Sequence, residues 1–473
     1  MSDLDALVHA TSPHKDEIEA LWRSSCAEAA STVVVLDDDP TGTQTVHDVP
    51  VYANWDFSTL DDAFRAGDKM FFVLTNSRSF SEEKTTQVHR EIAENLARVK
   101  KGQGKDFVLV SRGDSTLRGH YPLEDEVLRA TLEAESDCVF DAEVICPAFF
   151  EGGRFTYGDV HYMLRDGEYI PVGETEFAKD ATFGYRSSNL VDYVCEKSNG
   201  AVRESDCVTI SVDELRSFDL DSIVNKLLSC SRFKKVIVNA LNYDDLKTFA
   251  ICFLRARAQG KSFICRTAAS FAKCLSGCED IELLGADAIE DKGNPNGGLV
   301  IVGSHVKLST QQLEALRGSS LPLDFCEFNA AGADEDGTFT SESARVTERV
   351  EKTIGSGKTV VVYSTRKDQT NDAMDAESKL ALSVNISDGL TSVVSNLGVR
   401  PRYLIAKGGI TSSDVATKGL KVVKAEVMGQ AAKGIPVWKC GDESRFPGLA
   451  YLIFPGNVGN PDTLKSIVEE LER

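Results

Sequence analysis

The chain has 473 residues, enough for two or three domains rather than one core. At 42% hydrophobic and 26% charged residues its composition favours a folded chain over a disordered one. The formal charge of −21, from 73 acidic against 52 basic residues, repels polyanions and argues against a nucleic-acid partner, while leaving room for a small anion wherever basic groups gather locally.

An amphipathic opening runs to about Glu28 and precedes Thr32-Val33-Val34-Val35-Leu36, a β-branched run that predicts a buried strand. Asp37-Asp38-Asp39-Pro40-Thr41-Gly42 sits at its carboxyl end, where ligands of open α/β sheets bind. Three adjacent carboxylates repel one another, so a cation, an arginine or a hydroxyl-bearing ligand is expected among them. Further strands are predicted at Phe71 to Leu74, Phe107 to Val110, Val144 to Cys146, Val236 to Val238 and Phe263 to Cys265, with helical periodicity between them, as at Thr85 to Val99.

Ser111-Arg112-Gly113-Asp114-Ser115-Thr116-Leu117-Arg118 follows the strand at Phe107 and mixes two guanidinium groups, a carboxylate and hydroxyls. Arginines offer bidentate bonds to a carboxylate, and Asp114 can accept a hydroxyl proton, so a sugar acid satisfies this inventory. Gly152-Gly153-Arg154 adds another guanidinium after the next strand. His120 and His161 match no metal-ligand spacing, and no metal site is assigned.

Glu290 to Gly298 breaks the pattern with charges and turn formers, which divides the chain into a domain over 1–290 and a second over 298–473. Strands resume at Leu299 to Val302, Thr359 to Tyr363, Tyr403 to Ile405 and Tyr451 to Phe454. The fold class expected is α/β, with two lobes, each a largely parallel sheet flanked by helices. In the second lobe, Ser304, the run Lys407-Gly408-Gly409-Ile410-Thr411 and Gly456 all follow strands. Paired glycines let backbone N–H groups approach an anion, so these turns suit phosphate. Gly355-Ser356-Gly357-Lys358-Thr359 mimics a P-loop, but Lys352 replaces the first glycine and the helix precedes the strand, so a helix end and turn are expected instead.

The twelve cysteines include no CxxC pair and are expected as reduced thiols. An acidic start without a signal-like region, and no apolar stretch of membrane length, predict a cytoplasmic protein with no membrane partner.

Taken in order, Asp-Asp-x-Thr-Gly, Asp-Ser-Thr-x-Arg-Gly, Pro-Ala-Phe with Gly-Gly-Arg, Gly-Ser, Gly-Gly-x-Thr and Gly-Asn-x-Gly resemble the motifs of the four-carbon acid sugar kinase family, long catalogued as a domain of unknown function. The resemblance runs from about Val33 to Gly459 and extends to Thr175 to Leu190, with Asp180 and Ser188, and to Arg266 to Ser270. It implies ATP-dependent phosphorylation of the terminal hydroxyl of a tetronate or 3-oxo-tetronate, with Mg²⁺, the sugar acid on the first domain and the nucleotide on the second. Carried over by position, Asp38, Asp39, Thr41, Gly42, Arg112, Asp114, Ser115 and Arg118 belong to the sugar-binding edge, and Ser304, Gly408, Gly409, Thr411 and Gly456 to the nucleotide-binding turns; on their side-chain chemistry Asp39 and Asp114 are the catalytic candidates and Arg154 a further contact to the sugar acid. Two positions depart from the family pattern: Ile410 replaces a frequent polar residue, and Phe454-Pro455-Gly456 lacks a frequent lysine, for which Lys407 is the substitute candidate. A kinase of another small hydroxy acid and a non-catalytic sugar-acid-binding regulator are the alternatives, and homo-oligomerisation is left open. A dinucleotide oxidoreductase ranks below them, because no GxGxxG turn follows a strand.

Overall fold

A computed structural model describes residues 3–331, 333–334, 338–366 and 376–473, with 376–383 as backbone only. In chain order the strands are β1 (Thr32–Asp37), β2 (Val49–Tyr52), β3 (Met70–Leu74), β4 (Phe107–Arg112), β5 (Ala142–Cys146), β6 (Arg154–Tyr157), β7 (Val160–Arg165), β8 (Glu168–Pro171) and β9 (Cys207–Ile210). They continue as β10 (Lys234–Val238), β11 (Phe263–Thr267), β12 (Leu299–Val302), β13 (Asp324–Phe328), β14 (Val360–Ser364), β15 (Leu404–Lys407), β16 (Lys424–Ala432), β17 (Ile435–Cys440) and β18 (Ala450–Phe454). The chain forms two compact units: Met1–Thr45 with Asn54–Asp280, and Val46–Ala53 with Ile281–Arg473. The short run carrying β2 therefore belongs with the C-terminal part of the chain.

In the first unit seven strands lie in the order β3-β1-β4-β11-β5-β10-β9, all parallel. Strands buried on both faces read as unbroken apolar runs, which is why Val33 to Leu36 and Met70 to Leu74 carry almost no polar residue. Helices complete the crossovers. The longest, Glu82–Gln103, starts where Ser81 accepts a hydrogen bond from Lys84 N (3.2 Å) and stops at Gly104 with φ 67°. Register aligns Asp37 with Leu74 and Arg112, and Arg112 with Thr267, so the loops after these strands leave from one edge. The sequence patterning did not announce a small antiparallel sheet, β6-β7-β8, that brings Arg154 and His161 into this unit.

In the second unit β13-β14-β12-β15-β18 are parallel, and β17, β16 and β2 extend them antiparallel. Val302 lies opposite both Tyr363 and Lys407, and Lys407 opposite Phe454, so the following turns again emerge side by side. Val300, Ile405, Leu452 and Phe454 pack with Leu313, Leu464 and Val468 from the helices Lys307–Arg317 and Thr463–Leu471. The P-loop mimic is a helix end: Gly355 closes the helix Thr340–Gly355, and Gly357 has φ 84° in the turn before β14. All twelve cysteines are free thiols, and no helix among the described residues is long and apolar enough to cross a membrane.

Candidate functional site

At the first unit's carboxyl edge the three acidic residues after β1 have different environments. Asp37 ends the strand and is buried; burial pushes its carboxyl up to about 8 despite the nearby Arg112 guanidinium, and Asp38 and Asp39 add to the rise. Asp38 is also buried and shifted upward by that burial, against the pull of Arg78. Asp39 caps the short 3₁₀ turn Pro40–Thr43, accepting from Thr41 N at 2.8 Å. A side chain at Gly42 would overlap the Asp37 carboxylate, so a glycine is required there.

The cation expected among these carboxylates is Arg78, on the loop after β3. Its Nη2 and Nε donate to the two oxygens of Asp38 at 2.6 and 3.0 Å, and its Nη1 donates to Asp39 at 3.2 Å. Arg112, buried at the end of β4, approaches Asp37 at 3.3 Å and Asp38 at 3.5 Å. Arg112 therefore holds acidic loops as much as it offers a hand to a ligand. Arg78 was absent from the sequence-based set, although its strand-end Asn76-Ser77-Arg78 placement is the same signal that marked the other loops.

Asp114 lies in the adjacent loop. Its Oδ2 accepts from the Thr116 hydroxyl and from Arg118 Nε (2.8 Å), and among the described residues its Oδ1 has no hydrogen-bond donor. Burial opposes ionisation, yet the charges of Arg118 and Arg78 hold the Asp114 carboxyl far below the usual carboxylate range. Arg118 also approaches Asp180 at 3.9 Å. Ser115 is fixed from behind, its carbonyl accepting from His161 Nε2 at 2.9 Å. His161 is buried and pushed down to about 4 by that burial, so it is a neutral anchor. Arg154, half-buried, donates to the Gly152 carbonyl and lies within the field of Asp114 and Arg118, with no carboxylate of its own among the described residues.

Arg266 on β11 is a second residue the sequence set left out, although its segment had been noted. Its Nη1 bonds Ser111 Oγ at 2.8 Å and Glu124 at 2.5 Å. A Cβ on Gly113 or Gly119 would stand 2.6 or 3.0 Å from its Nη2, so the Asp114 loop is wrapped closely around this guanidinium. Arg266 is the post on which that loop is hung.

In the second unit the predicted turns meet. Gly408 has φ 125°, a backbone state suited to glycine, and a Cβ there would sit 3.0 Å from Ser304 Cβ and 3.2 Å from Thr411 Oγ1. A Cβ on Gly456 would sit 2.9 Å from Ser304 Oγ. Ser309 Oγ bonds both Ser304 Oγ and the Gly456 carbonyl at 3.0 Å, and Gly408 N donates to Phe454 O at 2.8 Å. Gly409 and Thr411 lie in the helix Gly409–Asp414 that follows. Ser304, Gly408, Gly409, Thr411 and Gly456 thus form one small-residue cluster with little side-chain bulk over its backbone, which fits a phosphate chain. Lys407, by contrast, points inward: its amine is fully buried, donating to Pro455 O at 3.0 Å over the face of Phe454. Ile410 is 64% exposed, so it does not fill the turn.

Residues 33–275 match a sugar-binding N-terminal domain, and residues 299–464 match a nucleotide-binding C-terminal domain. These two domains are the architecture of the four-carbon acid sugar kinase family, DUF1537, and this chain belongs to that family. Among solved structures, a Haemophilus influenzae protein of family DUF1537 is 14% identical, with a TM-score of 0.58 over 93% of this chain and 100% of its own. A Salmonella typhimurium LT2 protein provisionally described as a tRNA synthase is 15% identical, with a TM-score of 0.64 over the same shares of the two chains. At such identity the likeness concerns the fold. No curated protein matches the chain.

Proposed function

We propose that this protein is an ATP-dependent kinase that phosphorylates the terminal hydroxyl of a four-carbon sugar acid, a tetronate or 3-oxo-tetronate. The observation that carries the proposal is the Asp114 loop. One carboxylate oxygen is pinned by Thr116 and Arg118 while among the described residues the other is open, and the guanidinium of Arg154 stands in the same field with no ion pair among those residues. An open oxygen on a rigid carboxylate suits a substrate hydroxyl, and an unpaired arginine suits the substrate's carboxylate. Asp114 is therefore preferred over Asp39 as the group that orients the attacking hydroxyl, since both oxygens of Asp39 are already engaged. A carboxylate this acidic acts by orientation more than by early proton removal, as a loose phosphoryl-transfer transition state requires. Asp38, Thr41, Gly42, Arg112 and Ser115 shape the same edge, and Arg118 holds Asp114 in place.

Ser304, Gly408, Gly409, Thr411 and Gly456 would hold the phosphates of ATP. Among the described residues no group of three or more His, Cys, Asp or Glu forms a metal cage. Mg²⁺ in nucleotide enzymes is commonly held by phosphates, water and one or two carboxylates, and it would supply neutralisation of phosphate charge here. A coupled ADP-release screen of four-carbon sugar acids with the purified protein tests the proposal. Saturable turnover of one such acid supports it; saturable Mg-ATP binding without ADP formation on any of them would instead favour a binding-only regulator.

A further inference from the structure

We propose that the Arg366 guanidinium and the Lys407 amine, neither with a carboxylate partner among the described residues, together receive the phosphate chain of the nucleotide, and that Lys407 takes up a proton when the phosphates arrive. This rests on the nucleotide reading of the Ser304, Gly408 and Gly456 turns and adds to it a residue, Arg366, and a charge mechanism.

Arg366 follows β14, whose end is aligned with β12. Its Nη1 donates to Ser304 O at 2.5 Å and its Nη2 to Val302 O at 2.8 Å, so the guanidinium lies directly against the first turn of the cluster. Its Nε is buried and has no partner among the described residues. Lys407 joins the other two turns: its carbonyl accepts from Ser304 N at 3.2 Å, and its amine donates to Pro455 O, the residue before Gly456. Arg366 and the Lys407 amine thus both touch the cluster, and among the described residues both find only neutral carbonyls.

Several other buried or half-buried cations have carboxylates: Arg78 has Asp38, Arg266 has Glu124, Lys235 has Glu143 and Arg216 has Asp245. Arg154 and Arg445, like Arg366 and Lys407, bond only carbonyls among the described residues, but neither lies at the nucleotide turns. In a chain with 73 acidic residues a counter-ion was easy to supply. Placing a cation out of water without one costs several kcal/mol. Capping carbonyls does not require that cost, because neutral donors cap equally well. A fixed positive charge beneath a bare-backbone turn is instead stabilised when an anion arrives.

The charged surroundings of Lys407 are sparse. Burial pushes its amine down to about 7, and the Arg366 charge adds to that. Arg366 in turn is lowered by burial and by Arg317, with Glu314 and Tyr363 opposing; Glu314 is itself paired with Arg317 at 2.9 Å. A polyphosphate beside Lys407 reverses the balance and favours the protonated amine, with the proton drawn from the buffer. Protonated Lys407 binds phosphate better than neutral Lys407, so affinity falls as pH rises from below 7.

The test is titration calorimetry of the full chain with Mg-ATP at pH 8, above the second phosphate ionisation of about 6, in buffers of different ionisation heat. Wild type is expected to absorb most of one proton per ATP. Lys407→Met should bind ATP about tenfold more weakly, corresponding to about 1.4 kcal/mol, with no proton uptake. Arg366→Gln should weaken ATP and tripolyphosphate about tenfold or more while adenosine binding stays within twofold. Proton uptake that persists in Lys407→Met, or ATP affinity within twofold of wild type in Arg366→Gln, overturns the proposal. Circular dichroism checks folding; if Arg366→Gln does not fold, the proton count of Lys407→Met decides. No saturable heat from wild type with ATP, ADP or tripolyphosphate would mean that the nucleotide reading itself has failed, a result distinct from intact binding with unchanged variants.

Discussion

The two candidate sites use charge in opposite ways. At the carboxyl edge of the first unit, arginines and carboxylates interlock: Arg78 spans Asp38 and Asp39, Arg118 holds Asp114, and Arg266 holds Glu124. At the second unit's turns, glycines and serines expose backbone while Arg366 and Lys407 meet only carbonyls among the described residues. Paired charges spend their net field on fixing one another and leave oriented hydrogen-bonding positions, which suits a polyhydroxylated acid whose stereochemistry must be read. Unpaired cations under bare backbone leave a net field, which suits phosphate.

The largest effect is expected where orientation matters most. Asp114→Asn should lower kcat by about 10²–10⁴ on the sugar acid that the ADP-release screen identifies, with Asp39→Asn lowering it less, by about tenfold at most. Equal losses in the two variants would erase the distinction drawn between an open and an engaged carboxylate. Next in size is the effect of bulk at the second site. Gly456→Val should weaken Mg-ATP binding by about 10–100-fold, or about 1.4–2.7 kcal/mol, while leaving sugar-acid binding unchanged, both read by calorimetry. A substitution there that disturbs the sugar acid instead would break the assignment of separate roles to the two clusters.

Arg154→Gln should raise KM for the sugar acid about tenfold and leave the melting temperature within about 2 °C, because no carboxylate among the described residues loses a partner. A large loss of stability with unchanged KM would make Arg154 a structural arginine of the β6 hairpin.

Much of this contrast was legible in the sequence, for a physical reason. Strands covered on both faces must be apolar throughout, so Thr32 to Leu36, Phe107 to Val110 and Leu299 to Val302 stand out, and the polar residues that follow them mark the loops where ligands bind. Val49–Tyr52 was invisible because it is short, contains Pro50 and pairs with β16, which is more than 370 residues away. The hairpin of β16 and β17 mixes polar and apolar residues along irregular register and carries no clean alternation. Arg78 and Arg266 escaped because their importance lies in what they pair with, and pairing is a property of tertiary structure. For the same reason Lys407 was expected to reach a ligand freely, whereas its amine lies buried against Pro455. The sequence also could not separate Asp37, Asp38 and Asp39, three identical side chains whose chemistry differs through burial and through the partner each one meets.

That separation leads to the smallest effect, a pH trend in stability. An unfolded Asp ionises near 3.9, whereas burial holds the Asp37 carboxyl protonated up to about 8. The folded state therefore binds more protons than the unfolded state between these values, and the contribution of this group to stability falls as pH rises through the window. Asp37→Asn keeps the neutral shape and cannot ionise. In urea unfolding the variant should gain on wild type from pH 5 to pH 8.5, with the difference levelling off above about 8. Glu124, held down to about 2 with Arg266 and His89 outweighing burial, has the opposite sign, its contribution being lost only in acid as pH falls from near 4. The two trends do not overlap in the neutral range, so a rise confined to pH 5–8.5 reports Asp37. If Arg112, 3.3 Å away, instead keeps Asp37 ionised, Asp37→Asn strips a buried guanidinium of its partner. The variant is then less stable by the same amount at every pH in this range, and the protonated Asp37 beneath the acidic loop is ruled out.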